Sequence, residues 1–192
     1  MMLTLSHPWA AGRSQVEKMA LVAAAALLGS LLLAVSARLQ VPFWPVPMTM
    51  QTMAVLVIAM TLGARLGCTV VVLYVVEGML GLPVFANTPE RGVGLAYLLG
   101  PTGGYLLGFI VAAYIAGRLA EHGFGAGLLR AIMVQMLGTA VILTCGAAWL
   151  ATLVGIEKAF ALGVAPFLLS SLVKIGLGGL LVVAIGRVFG RA

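Results

Sequence analysis

Long apolar segments alternate with short polar connections along this chain. The segments that are apolar over most of their length are 19–37, 50–65, 66–82, 104–121, 131–154 and 163–186. A helix needs roughly 20 apolar residues to cross about 30 Å of hydrocarbon, although somewhat shorter spans occur. The second and third segments are separated only by GARLG at 63–67, which predicts a tight turn between two short helices. The pattern predicts an all-α bundle of six transmembrane helices.

The composition agrees with a membrane protein. Hydrophobic residues make up 62% of the 192 positions, charged residues only 8%, and the mean hydropathy is +1.18. A soluble domain normally carries about a quarter or more charged residues on its surface. We therefore expect one integral membrane domain over 19–187, with a cytoplasmic segment at 1–18, a cytoplasmic tail at 188–192 and lipid as its surroundings.

The net charge of +6 is informative about orientation rather than about nucleic acid. The basic residues are scattered singly with no aromatic platform between them, so nucleic-acid binding is not expected. If the N-terminus is inside, the inner side holds Arg13, Lys18, Arg65, Arg118, Arg130, Arg187 and Arg191, and the outer side holds Arg38, Arg91 and Lys158. Because cytoplasmic loops are enriched in Lys and Arg, both termini are predicted to be cytoplasmic, in a bacterial cell membrane.

One ammonium group interrupts the last apolar segment. Lys174 stands near the middle of APFLLSSLVKIGLGG, too deep for its side chain to reach water easily. A charged residue at such depth normally faces a bundle interior or a wet cavity. Ser170, Ser171 and Gly178 lie on the same helix face, so this residue is a candidate for ligand binding. A structural ion pair with Glu77, in the third segment, is the alternative.

Other polar residues are expected on the same, outer side of the bundle. Gln51 opens the second segment, and the connection 83–103 contains Asn87 and Tyr97. A connection of this length is either a binding loop or an exposed linker, and both remain open. Apolar walls with a few convergent polar groups are typical of a small-molecule pocket.

The sequence contains little evidence for a catalytic or cofactor site. His7 and His122 are far apart, Cys68 and Cys145 form no CxxC motif, and GPTGGYLLG lacks the Lys-Ser/Thr pair of a P-loop. We expect no catalytic residues, no metal and no cofactor, so active transport would draw its energy from a partner or an ion gradient.

Small residues recur every four positions on two segments. These are Ala26, Ser30 and Ala34 on the first, and Gly104, Gly108, Ala112 and Ala116 on the fourth. Such stripes let helices approach closely in lipid. They serve either a partner subunit or packing within the same bundle.

Five motifs give the chain a family resemblance. VPMTMQT, LGARLG, LGLPVFAN, GPTGGYLLGF and APFLLSSLVK, in this order, resemble the BioY family, the biotin-specific substrate-binding (S) components of energy-coupling-factor (ECF) transporters. The resemblance implies a six-helix protein that captures biotin from outside and releases it inward with a transmembrane coupling subunit and two ATPase subunits. It assigns ligand contacts to Asn87 and Lys174, and a coupling contact to Ala26, Ser30 and Ala34, with Ala20 and Ala24 as an alternative.

One position departs from the family pattern. Three residues before the lysine the family commonly has Asp, whereas this chain has Ser171. The hydroxyl can still accept a ureido N–H, but the neighbour that would neutralise Lys174 is lost, which makes Glu77 a candidate counter-charge. Lys174 could bind the ureido carbonyl or the carboxylate of biotin, and its depth slightly favours the ureido.

Two other function classes stay open. A self-sufficient secondary transporter or channel for a small organic solute would need ionisable groups across the inner half of the segments, which offers almost none. An intramembrane enzyme would show paired His, Asp or Cys residues. Whether the chain works alone, as a homo-oligomer or with an energising module is also open.

Overall fold

The computed structural model describes residues 14–41, 44–90 and 92–189, and it is mostly helical. The helices are α1 Gln15–Arg38, α2 Gln51–Leu62, α3 Ala64–Met79, α4 Leu95–Leu98, α5 Gly103–Leu119, α6 Leu128–Val154, α7 Ile156–Gly163 and α8 Ala165–Val188. A two-stranded antiparallel hairpin, β1 Gln40–Val41 and β2 Met48–Thr49, joins α1 to α2. Residues 1–13 and 190–192 of the predicted cytoplasmic ends, which include Arg13 and Arg191, and the loop residue Arg91 lie outside the described residues.

Each of the six apolar segments coincides with one of the longer helices. The turn between α2 and α3 is made by Gly63, whose φ of 85° is disfavoured for a residue with a side chain. Within the described ranges, four stretches are long and apolar enough to cross a membrane, namely Gln15–Arg38, Gly103–Phe124, Leu128–Val154 and Ile156–Val188. The α2 helix is apolar but has only 12 residues.

The sequence did not predict the short elements at one end of the bundle. The hairpin, α4 and α7 occupy stretches that were read as connections, because each is too short to show a periodic apolar pattern. Together with the loop 80–94 they cover the end of the bundle where α1, α3 and α6 finish. We call this the hairpin end, and the opposite end, which holds the Gly63 turn, the Gly63 end.

The centre of the bundle is α5, which packs against α2, α3 and α6. Its small-residue stripe lies inside the protein: a Cβ added at Gly104 would come within 2.2 Å of Trp149 Cβ. Ala112 and Ala116 are fully buried. This stripe therefore serves close packing between helices of the same bundle.

The stripe on α1 is internal as well. Ala26 and Ser30 are buried and Ala34 is half-buried where α1 packs on α3. The Ser30 hydroxyl also donates a hydrogen bond to Glu77 of α3. Helix packing covers these three residues in this structure, and their role as a contact for a coupling partner stays a prediction. Ala20 and Ala24, one turn apart, are exposed.

The outward faces of the helices are apolar. On α1 the exposed fractions of Leu27, Leu28 and Leu31 are 57%, 67% and 61%, and on α8 Leu169 and Leu172 are exposed by 76% and 66%. In water, leucine side chains this exposed would form a large apolar patch that promotes aggregation. With the long apolar helices, this surface identifies a multi-pass membrane protein.

A buried amide on α6 gives the first testable prediction. Gln135 is 1% exposed, its Nε2 has only Met60 Sδ as acceptor at 3.9 Å, and its Oε1 has no hydrogen-bond partner among the described residues. An unsatisfied buried polar group costs about 1–3 kcal/mol. We expect Gln135→Met, which keeps the volume, to raise the thermal unfolding temperature in detergent, and Gln135→Glu to lower it. A fall with Gln135→Met would show that the amide has a stabilising partner.

Candidate substrate-binding site

A cavity lies at the hairpin end, between α2, α3, α5 and α8. Most of its wall is apolar, and the aromatic side chains in it are Tyr74, Phe85, Tyr97, Tyr105, Phe109 and Phe167. The polar side chains in it, apart from the tyrosines, are Thr49, Gln51, Thr52, Thr102 and Lys174. Apolar walls with a few polar groups are typical of a site for a small organic molecule.

The loop 80–94 forms one wall because side chains of the bundle hold its backbone. Tyr74 donates to Val84 O at 3.1 Å and Tyr97 donates to Ala86 O at 2.8 Å. Arg38, the last residue of α1, donates to two further carbonyl oxygens of this loop, at 2.9 and 2.6 Å. The loop is therefore an ordered wall of the cavity rather than a free linker.

Aromatic packing completes this wall. Phe85 is 1% exposed, its ring stacks on Tyr97 with centroids 4.8 Å apart, and it meets Tyr74 edge to face at 5.4 Å. Such pairs stabilise beyond the area they bury, by about 0.5–1.5 kcal/mol. The stacked rings of Phe85 and Tyr97 give the cavity a flat surface against which a ring-shaped ligand can pack.

A chain of hydrogen bonds links β2 of the hairpin to α2 and α3. Thr49 Oγ1 donates to Gln51 Oε1 at 3.2 Å, and Gln51 Nε2 donates to the Tyr74 hydroxyl at 2.7 Å. The Tyr74 hydroxyl in turn donates to Val84 O of the loop 80–94. Thr49 and Gln51 are both buried, so these bonds fix the side chains of β2, α2 and α3 relative to one another.

Lys174 lies at the cavity with only 7% of its surface exposed. It is the tenth residue of α8, about 14 Å from the start of that helix at 1.5 Å per residue. Its Nζ donates to the backbone oxygen of Thr49 at 3.1 Å. The ammonium thus reaches across the cavity edge to the hairpin.

The alternative ion pair between Lys174 and Glu77 is not formed. Glu77 accepts a hydrogen bond from Ser30 between α1 and α3. Among the described residues the only acidic–basic pair within 4 Å is Arg118–Glu121, at 3.0 Å. Glu77 is directed away from the cavity because α1 covers that face of α3, so the expected counter-charge role for it is wrong in this structure.

This arrangement predicts a mild phenotype for Glu77→Gln. The carboxamide oxygen can still accept from Ser30, and no buried ammonium depends on the charge of Glu77. We expect a folded yield close to that of the wild type, measured as monodisperse protein by size-exclusion chromatography. A strong loss of folded protein, with Ser30→Ala folding well, would mean that the charge itself is needed.

The structure brings together some of the predicted site residues and separates others. Gln51, Tyr97 and Lys174 line the cavity. Asn87 is outside the lining and accepts a hydrogen bond from Gln40 Nε2 of β1. Ser171 is buried one turn before Lys174, also outside the lining. Which of these residues contact the ligand stays a prediction.

Several wall residues were missed by the sequence reading. Tyr74 and Phe109 lie within apolar segments, where an aromatic residue is usually read as core or lipid-facing. Thr102 lies in GPTGG, a stretch that counted only as part of a family motif and not as a cavity wall. The sequence signal that could have found Tyr74 is a hydroxyl-bearing aromatic residue inside an apolar segment, because a buried Tyr usually finds a hydrogen-bond partner.

The three tyrosine hydroxyls have their protons committed to backbone oxygens. Tyr74, Tyr97 and Tyr105 donate to Val84, Ala86 and Gly163, the last at 2.7 Å. The Tyr74 oxygen already accepts from Gln51 Nε2, whereas the Tyr105 oxygen can act toward a ligand only as an acceptor, and Lys174 is a charged donor. This combination suits a ligand with both N–H groups and anionic or carbonyl oxygens. No group of three or more metal-binding side chains occurs within the described ranges.

Comparisons with known proteins agree with this picture. The family model described as "BioY family" matches residues 8–191. A probable biotin transporter BioY of Pyrococcus horikoshii is 41% identical over 143 residues, covering 74% of this chain and 82% of the relative. The biotin transporter BioY of Thermotoga maritima is 40% identical over 151 residues, covering 78% and 86%.

One solved structure shares the fold. The crystal structure of the S-component for biotin from an ECF-type ABC transporter superposes with a TM-score of 0.78 at 20% identity, covering 92% of this chain and 95% of the other. At this identity the similarity shows the fold, which is that of an S component.

Proposed function

We propose that this chain, which belongs to the BioY family, captures biotin and takes it up across the membrane as the S component of an ECF-type transporter. The observation that carries the proposal is the cavity at the hairpin end, in a chain whose relatives are biotin transporters. Family membership supports the ligand, and the cavity supplies a place for it.

Biotin fits the chemistry of the cavity. Its fused rings and alkyl tail need apolar walls, which the aromatic cluster around Phe85 provides. Its ureido group has two N–H donors, and the hydroxyl oxygen of Tyr105 is an acceptor. Its carbonyl and carboxylate oxygens need donors, of which Lys174 is charged. The ligand needs no cofactor in this scheme.

The proposed topology has six spans with both termini in the cytoplasm. Among the described basic residues, Lys18, Arg65, Arg118, Arg130 and Arg187 all lie toward the Gly63 end, whereas Arg38 and Lys158 lie at the hairpin end. The positive-inside rule then directs the hairpin end and its cavity outward. Residues 1–18 and 188–192 would be cytoplasmic, around one membrane domain at 19–187 in the plasma membrane of a bacterial cell.

Energy for uptake would come from partner subunits. The sequence contains no P-loop, and we propose that a transmembrane coupling subunit and two ATPase subunits drive inward release, so that the chain itself is not an enzyme. The exposed Ala20 and Ala24 on α1 are small enough for close approach by a partner helix, unlike the covered stripe at Ala26, Ser30 and Ala34.

Two measurements test the proposal. The purified full chain should retain biotin, detected by mass spectrometry after denaturation and by calorimetry after ligand removal. Uptake of labelled biotin into cells should rise when ATPase and coupling subunits are co-expressed. Folded protein that binds no biotin would refute the proposal, whereas uptake driven by an ion gradient without ATPases would support a self-sufficient secondary transporter instead.

A further inference from the structure

A groove separate from the cavity runs along the outer surface of the bundle toward the Gly63 end. It lies between the first half of α6 and the segment that ends α5, and every side chain that lines it is apolar. It shares no lining residue with the cavity at the hairpin end. We call it the α5–α6 groove, and ligand binding in the cavity does not account for it.

The α5–α6 groove has a buried floor and exposed edges. Val134 of α6 is buried, whereas Met133 and Leu137 are exposed. Phe124 lines the groove from the other side, because a single π-helical turn, Ala120–Phe124, brings the chain from α5 back toward α6. A slot of this shape can enclose one hydrocarbon chain, whereas lipids pass over a convex helix face one after another.

The length of the groove matches one leaflet of a bilayer. Met133 and Leu137 follow Arg130 by three and seven residues, on one face of α6. Ala140, ten residues after Arg130, is the last lining residue on this helix. Ten residues of α-helix rise about 15 Å, which is half of the roughly 30 Å hydrocarbon core. One acyl chain therefore fits between Arg130 and the middle of the bilayer.

Arg130 supplies a charge at the open end of the groove. It is the exposed third residue of α6, and helix side chains tilt toward the N-terminus, so its guanidinium projects toward the membrane interface. All five acidic residues of the chain are glutamates within the described ranges, and the only ion pair found there joins Arg118 to Glu121. Arg130 is therefore free to bind a phosphate, for which a guanidinium is well shaped.

The whole Gly63 end carries an excess of positive charge. The described charged side chains toward this end are two acidic ones, Glu17 and Glu121, and five basic ones, Lys18, Arg65, Arg118, Arg130 and Arg187. Basic side chains near the membrane surface attract anionic headgroups. An apolar slot beside this charge suits a ligand with a hydrocarbon tail and an anionic head.

We infer that the α5–α6 groove binds one anionic phospholipid, with an acyl chain along α6 and the phosphate at Arg130. A zwitterionic phospholipid has the same tail and phosphate, but its headgroup has no net charge and gains less from the basic end. This lipid site does not depend on the identity of the ligand in the cavity.

The test compares phosphatidylglycerol with phosphatidylcholine of identical acyl chains. Dissociation constants are measured by native mass spectrometry on the full chain, delipidated in a neutral detergent. We expect one phosphatidylglycerol per wild-type chain, bound about fivefold or more tightly than phosphatidylcholine, because one basic side chain near the surface contributes roughly this factor. Inorganic phosphate should not displace the lipid, since it lacks the tail that fills the groove.

Substitutions separate the charge from the slot. Arg130→Gln should bring the ratio to within about twofold of unity, whereas Arg65→Gln, at an exposed position of the same end outside the groove, should keep it. Ala140→Trp fills the deep part of the groove and should weaken both lipids by about tenfold, because several methylene groups lose their contacts. Ala148→Trp, exposed on α6 beyond the groove, is the control and should change neither.

Several outcomes overturn the inference. They are equal affinities for the two lipids, binding of neither lipid, a preference that Arg65→Gln abolishes as fully as Arg130→Gln, and wild-type affinities in Ala140→Trp. A dimer in the native mass spectrum that Ala140→Trp dissociates also overturns it, since the groove would then hold a second copy of the chain. None of these results bears on biotin binding, so the proposed function is tested separately.

Discussion

Replacing Lys174 by alanine is expected to lower the affinity for biotin by about tenfold or more while the protein still folds. The substitution removes the charged donor of the cavity, and a hydrogen bond to a charged group contributes about 1.5–3 kcal/mol. The unliganded protein should be as stable as the wild type or more so, because a buried ammonium with a single protein acceptor is itself unfavourable. Calorimetry gives the affinity and thermal unfolding in detergent gives the stability.

The opposite directions of these two effects separate ligand binding from scaffolding. If Lys174 mainly stabilised the fold, through its bond to Thr49, unfolding temperature and affinity would fall together. Lys158→Ala, at an exposed position of α7, is the matched control and should change neither. Unchanged affinity in Lys174→Ala would remove this residue from the site.

The second large effect is expected from one methyl group added to α3. A Cβ at Gly78 would lie 2.0 Å from the ring of Phe85, which is held between Tyr74 and Tyr97 and forms part of the cavity wall. Overpacking of this kind typically costs about 1–3 kcal/mol. We expect Gly78→Ala to lower the unfolding temperature and to reduce biotin affinity by about tenfold or more, since the displaced ring must move into the ligand's space or out of the wall.

Two further variants make this prediction specific. Gly176→Ala adds the same methyl group to α8 where nothing lies within 4 Å, so it should leave binding intact and favour the helix slightly. Phe85→Leu in the Gly78→Ala background should recover part of the lost stability by removing the clashing ring atoms. If Gly78→Ala behaves like Gly176→Ala in both assays, the close contact at Phe85 does not control the cavity.

The helices were predictable because burial in lipid makes a strong, continuous pattern. Each apolar segment of the sequence became a helix within a few residues, and Gly63 marked the turn between the shortest two. The hairpin and α7 were missed because short elements are held by contacts with distant parts of the chain, such as the bond from Lys174 to Thr49 of β2 and the bond from Tyr105 to Gly163 of α7. The local pattern of apolar and polar residues does not reveal contacts between distant parts of the chain.

The sequence predicted how deep a residue lies in the bundle better than it predicted which residues it contacts. Lys174 was recognised as buried from its surroundings alone, whereas its pairing with Glu77 stayed an open alternative, because two residues at similar depth can face different neighbours. Depth along a helix follows from counting residues, whereas direction depends on which helix packs on which face. The same limit applies to the stripe at Ala26 and Ser30, whose spacing is equally suited to an inner and an outer contact.

By itself, the sequence determined the membrane class, the helical segments, the family resemblance and the presence of a deep cation, since these depend on composition, run length and local motifs. Only the tertiary structure decided that Glu77 is hydrogen-bonded to Ser30, that Lys174 is hydrogen-bonded to Thr49 beside a cavity, and that Phe85 forms part of the cavity wall. The physical reason is that these contacts join residues up to 125 positions apart, and helix packing, rather than any local preference, selects them.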